Sequence, residues 1–160
     1  MSSIVREDLQ TDREIVIERV IAAPRHIVWK AWARQDHIEQ WWGPDGFTTT
    51  THERDFRSGG TWRFTMHGPD GRDYENHITF LEIVEGERIV DEHGGEGREA
   101  DLEFIRETSF ADREGGTLLS MRMVFPSVDM LQRVVRDYGA VEGGHQTLAR
   151  LAAIVESAAS

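Results

Sequence analysis

At 160 residues with no cysteine, the chain has the length of one domain and excludes disulfides, thiolate metal sites and a cysteine nucleophile. Its 29 acidic residues against 18 Lys and Arg give a formal charge of −11, a balance that repels phosphate and argues against nucleic acid and anionic membranes as partners. Hydrophobic residues make up 39% and charged residues 29%, which suits a folded chain, and no apolar run approaches membrane-spanning length.

Residues 1–12 are polar and lack the apolar core of a signal peptide, so the expected compartment is the cytoplasm. A single domain is expected over residues 13–158. It opens with EIVIERVI (14–21), a β-branched stretch that predicts a strand. After Pro24, the spacing of Ile27, Val28, Ala31 and Trp32 predicts a short helix, and a second helical turn follows with Asp36 as its cap. Gly43-Pro44 stops it just after Trp41 and Trp42.

Beyond Gly46 the chain becomes short stretches divided by turn chemistry, among them Ser58-Gly59-Gly60, Gly68-Pro69-Asp70-Gly71, Glu85-Gly86 and Gly115-Gly116. FTTTTHERDF, TWRFTMH, YENHITFLEIV, ERIVDEH, DLEFIRETSF and TLLSMRMVF lie between the turns and predict six antiparallel strands, about seven with the first. From Ser127 onward Leu131, Val134, Tyr138, Val141, His145, Leu148, Ala152 and Val155 form one helical stripe, with a break expected near Gly139. Strand, two short helices, six strands and a long helix make an α+β domain in which the last helix covers a curved sheet.

Period-2 alternation puts Trp62, Phe64 and Met66 on one strand face, and Leu119, Met121, Met123 and Phe125 on another. Those faces are expected to meet the last helix and line a cleft with Trp41, Trp42, Phe47 and Tyr138. In the YENHITFLEIV stretch His77, Thr79 and Leu81 share a face with Ile83, so they too are expected there, opposite His145. For each histidine a packing role competes with ligand contact or acid/base work. Trp41 and Trp42 are read either as core plugs or as a lid over the cleft. Asp55, Arg57, Gly59 and Gly60 read as a structural turn with an ion pair, and catalysis by the pair is the minor reading. The seven histidines show neither HxxxH nor HExxH spacing, so no metal or other cofactor is expected. The acidic run containing Glu96, Glu99, Asp101 and Glu103 reads as a solvated face that a basic partner could use.

In their order and spacing, APRHIVWKAW, the QWWGP run from Gln40, DFRSGGTWRF, YENHITFLEIVEGERIV, GGTLLSMRMVF and GAVEGGHQTLARLA resemble the SRPBCC or START-like superfamily. The branch is the one homologous to the C-terminal domain of the heat-shock-protein-90 ATPase activator. This resemblance implies a helix-grip fold, like that of the birch-pollen allergen, with a cavity between sheet and C-terminal helix. It carries over no catalytic set, and Glu85-Gly86 stands where the branch usually has paired prolines. Three functions stay open: a protein binding a small apolar or amphipathic molecule, a cavity enzyme using a histidine, and a regulator binding a chaperone or other protein, as monomer or homodimer.

Overall fold

The computed structural model describes residues 3–8, 11–94 and 102–159. Its elements are β1 (Ser3–Asp8), β2 (Thr11–Ile21), α1 (Arg25–Ala33), α2 (Gln35–Ile38), β3 (Thr48–Arg54), β4 (Thr61–His67), β5 (Asp73–Val84), β6 (Arg88–Gly94), β7 (Leu102–Arg113), β8 (Gly116–Val124), α3 (Val128–Tyr138) and α4 (Ala140–Ala159). All seven expected strands are present. An eighth, β1, comes from the polar N-terminal segment and pairs with β2. The sheet is antiparallel throughout, in the order β1-β2-β8-β7-β6-β5-β4-β3.

Helices cover one face only, and the register follows from that one-sided burial. Ile15, Ile17 and Ile21 on β2 are buried at 3%, 0% and 0% exposure, while Leu119, Met121 and Met123 on β8 match them at 0%, 4% and 6%. Trp62 and Phe64 on β4 are 1% exposed, and Arg63 between them points outward. The alternation read from β4 and β8 therefore has the correct phase. On the outer face Glu14, Arg122, Glu107, Arg88 and Glu82 form a chain of ion pairs across β2, β8, β7, β6 and β5. Its Arg88–Glu107 link measures 3.1 Å and its Arg122–Glu107 link 3.9 Å.

Two cations fasten the helical layer, Arg54 at the carbonyl end of α1 and Arg150 at the loop that follows α2. Arg54 on β3 donates to the oxygens of Ala33 (2.8 Å) and Trp32 (2.6 Å), neutralising the C-terminal dipole of α1. Its guanidinium lies over the rings of Phe56 (4.8 Å) and Trp62 (5.0 Å), and burial pushes its pKa down to about 10, which leaves it charged at neutral pH. Arg150 on α4 donates to the oxygens of Gly43 (2.8 Å) and Pro44 (3.0 Å), and Gln146 accepts from the Asp45 amide at 3.1 Å. The loop after Trp42 is thereby bound to α4. In α2, Arg34 holds the capping position, and Asp36 lies in the first turn, paired with Arg34.

The long helical stripe breaks where expected, with Gly139 left-handed at φ 59°. At Gly144 α4 lies close against the sheet, since a Cβ there would stand 2.3 Å from Ile17 Cδ1. At Gly143 a Cβ would meet Pro44 at an ordinary 3.7 Å. Gly143→Ala should therefore stabilise by about 0.5–1 kcal/mol through helix propensity. Gly144→Ala should destabilise by about 1–3 kcal/mol, because a fully buried Ile17 must leave its rotamer. Parallel urea titrations of the two variants check the opposite signs.

Candidate functional site

Strands β6 and β7 bring polar groups onto the covered face. Ile89, Asp91 and His93 alternate on β6, and Phe104, Arg106, Thr108 and Phe110 on β7. The register that buries Ile89 and Phe110 thus also carries Asp91, His93 and Arg106 inward, where Asp91 faces Arg106 and His93 faces Phe104.

Asp91 and Arg106 form a buried ion pair whose side chains are 4% and 6% exposed. Arg106 Nη2 donates to Asp91 Oδ1 at 3.0 Å, and Nε approaches Oδ2 at 3.5 Å. The guanidinium carbon sits 4.9 Å from the Trp42 ring centroid and 5.4 Å from that of Phe104. Burial pushes the Asp91 carboxyl above its usual 3.8, although Arg106 and His93 pull the other way. A raised carboxyl pKa means that the folded state favours the acid form. The resulting stability is present at low pH and lost as pH rises through the folded pKa.

His93 stacks on Phe104 with centroids 4.8 Å apart and planes at 13°. Its Nε2 lies 2.9 Å from Asn76 Oδ1, and Asn76 Nδ2 donates to the Tyr74 oxygen at 2.9 Å, which fixes the amide orientation. Nδ1 lies 3.2 Å from Glu103 Oε2. Both ring nitrogens are thus turned to protein oxygens, and neither is presented to a bound molecule. The hydrogen bond from His93 holds the Glu103 carboxyl below its ordinary 4.5, against a smaller opposing effect of burial and with help from the charges of His93 and Arg133 on α3.

Around these polar pairs the apolar walls are Met123 on β8, Phe125 just after it, 5.3 Å from Phe104, and Met66 on β4. Phe104, Met66, Met130, Val134 and Val141 pack against the core while remaining partly exposed. A concavity of about 310 Å³ also opens along α3, lined by Ser127, Asp129, Met130, Gln132, Arg133 and Arg136.

Several residues expected at the cleft lie elsewhere. His77, Thr79 and Leu81 are on the opposite, uncovered face, since their neighbours Ile78 and Phe80 are buried and His77 faces the outward Arg63. A bulge between Phe80 and Glu82 reverses the phase, so Ile83 points inward while Leu81 is 45% exposed. His77 and His145 thus stand on opposite sides of the sheet and do not converge. His145 is half-buried on α4, with Nδ1 shut from solvent and no partner among the described residues. Trp41 is a core plug, fully buried with Nε1 donating to Ala31 O at 3.0 Å. Trp42 contacts the rings of Trp32, Trp41, Trp62 and Phe64 and reaches Arg106 from its far side. Phe47 packs on Tyr74 at 5.9 Å. Met121 is buried within the core. The side chain of Tyr138 lies outside the described residues, as do Glu96, Glu99 and Asp101. Asp55 and Arg57 pair at 2.7 Å in an exposed turn, where Gly60 is required because a Cβ would stand 2.0 Å from Asp55 O.

Asn76, Asp91, His93 and Arg106 are not among the site residues expected from the sequence, and Glu103, expected on a solvated face, is the partner of His93. The period-2 run Phe104-x-Arg106-x-Thr108-x-Phe110, with a phenylalanine at each end, carried the signal for Arg106.

Two measurements test this arrangement. Asp91→Ala should cost about 3–5 kcal/mol by stranding a buried guanidinium, whereas Asp91→Leu with Arg106→Met should restore wild-type stability or exceed it. A double-mutant cycle by chemical denaturation reads both. Because the Glu103 pKa is lowered in the folded protein, its contribution is present above the ordinary 4.5 and lost as pH falls through the folded value. The stability gap between wild type and Glu103→Gln should accordingly persist above the ordinary 4.5 and close as pH falls through the lower folded value.

A family model described as Activator of Hsp90 ATPase homolog 1-like protein matches residues 22–156. A Mycobacterium smegmatis crystal structure is 26% identical over 97% of this chain and 98% of its own, with a TM-score of 0.84. An Arthrobacter aurescens solution structure is 22% identical over 96% and 91%, also at 0.84, and that of an AHSA1-like protein from Aeromonas hydrophila is 21% identical over 91% and 93%, at 0.68. No curated protein matches the chain. The chain thus shares its overall fold with these structures, and it is a member of the Activator of Hsp90 ATPase homolog 1-like family.

Proposed function

We propose that the protein binds a small apolar or amphipathic molecule on the covered face of the sheet, beneath α3 and the start of α4. One observation carries this reading: that face bears two polar pairs, Asp91 with Arg106 and His93 with Asn76, and the apolar Phe104, Met66, Met130 and Val134 pack against its core without being fully buried. An apolar enclosure with a few oriented polar groups is the general composition of a ligand site. Apolar burial would supply the affinity and the polar pairs the orientation. The enzyme reading calls for a cavity histidine with a fixed partner, and two observations weigh against it: protein oxygens engage both His93 nitrogens, and His145 Nδ1 has no partner among the described residues.

The family description names a chaperone activator, which keeps a protein-binding role as the competing reading. Saturable binding of neutral apolar probes at micromolar concentration, weakened by Met123→Arg or Val134→Arg in folded protein, is the expected outcome. Absence of saturable binding across neutral aromatic and acyl-chain probes would favour the protein-binding role.

A further inference from the structure

On the covered face, two polar side chains two residues apart on β7 have unused donors. Arg106 has Nε and Nη2 engaged by Asp91, and its Nη1 meets no acceptor among the described residues. Nη1 is also not among the unpartnered atoms sealed from solvent, although the side chain is only 6% exposed. Thr108, next on the same face, is fully buried, and its Oγ1 has no partner among the described residues. An unsatisfied buried hydroxyl costs about 1–3 kcal/mol, and native proteins rarely leave one without a ligand, water or functional reason.

The surroundings narrow what would complete them. The guanidinium lies near the faces of Trp42 and Phe104 and directly across from Met123, so the approaching group must be flat or narrow and largely apolar. Asp91 already balances the positive charge at 3.0 Å. A ligand carboxylate or phosphate would add a second, uncompensated negative charge to a buried site, while a carbonyl oxygen accepts the same hydrogen bonds at no charge.

We infer that Arg106 Nη1, assisted by the Thr108 hydroxyl, is the donor pair for a neutral carbonyl oxygen on an otherwise apolar ligand: a ketone, ester, lactone or amide and not a free acid. This rests on the binding role proposed above and specifies its ligand class. Asp91 is a positioning residue that holds the guanidinium plane, and Trp42 and Phe104 flank the carbonyl-bearing part of the ligand.

Three probes of matched size separate the possibilities: 2-acetylnaphthalene carries the carbonyl, 2-ethylnaphthalene lacks it, and 2-naphthoate replaces it with an anion. By calorimetry or tryptophan quenching, wild type should bind the ketone roughly tenfold or more tightly than either analogue. The carbonyl stretch of the bound ketone should move to lower frequency. Asp91→Leu with Arg106→Met should bind ketone and hydrocarbon equally, with no shift. Thr108→Val, which keeps the shape, should lose part of the preference. Should the double variant fail to fold, Arg106→Lys repeats the test without Nη1, and the wild-type preference and spectrum stand by themselves. Equal binding of ketone and hydrocarbon by wild type would overturn the carbonyl assignment and leave the binding role intact. Tightest binding of naphthoate would overturn it in favour of an anion site. If none of the three binds, the assignment and the binding role fall together.

Discussion

All five tryptophans of the chain belong to one chain of edge-to-face ring contacts. It runs from Trp29 through Phe110 to Trp32, then to Trp41, Trp42 and Trp62, with neighbouring centroids 4.8–5.7 Å apart. These rings join α1 and the segment after α2 to β7 and β4, strands on opposite sides of the sheet centre. Each such pair contributes about 0.5–1.5 kcal/mol beyond its buried area, and the geometry requires the rings to sit at fixed angles. The rest of the architecture depends on that fixed core. Arg54 stacks against it while holding the end of α1, and Trp42 presents its far side to Arg106. The same aromatic cluster that closes one end of the interior therefore forms a wall of the candidate site at the other.

The uncovered face handles its charge differently. A sheet bare on one side must place polar groups at every second position, and a chain of −11 must keep those groups from repelling one another. The Glu14-Arg122-Glu107-Arg88-Glu82 chain does both by alternating sign across five strands. Individual surface pairs are weak, but a network shares each ordered side chain between two partners. Since these acids are already paired within the sheet, the negative charge of the chain is a poor guide to a docking face there.

Much of the fold was legible because its strands alternate cleanly. TWRFTMH and TLLSMRMVF have large apolar residues at one parity and polar ones at the other, so only one register buries them. YENHITFLEIV has apolar residues at both parities. Ile83 suggested the wrong phase because the bulge before Glu82 sits between it and Ile78, and a bulge leaves no composition signal in these residues. That one reversal removed His77, Thr79 and Leu81 from the cleft. β1 was missed for another reason: SIVRED is short and polar, and it becomes a strand through pairing with the edge of β2. On β6 and β7 the signal lies in the neighbours of the charged residues, since Ile89, Phe104 and Phe110 at the same parity turn Asp91 and Arg106 inward.

The inward Asp91 and Arg106 are costly for the fold. Bringing two ions out of water costs more than their attraction commonly returns, and the raised Asp91 pKa is the sign of that cost. A hydrophobic pair of similar volume would fill the same space between Trp42 and Phe104 at no penalty. An ion pair on a sheet face lined mostly with Ile, Leu, Met, Phe and Trp makes sense where a rigid, largely desolvated donor is needed. A guanidinium clamped by a carboxylate has its plane and direction fixed before anything binds, so little conformational entropy is lost when an acceptor arrives. Lysine in the same position would supply a mobile point charge without a fixed third donor. The largely buried location then works for selectivity as well as affinity, because a donor held in a mostly apolar site discriminates against molecules that lack the matching oxygen.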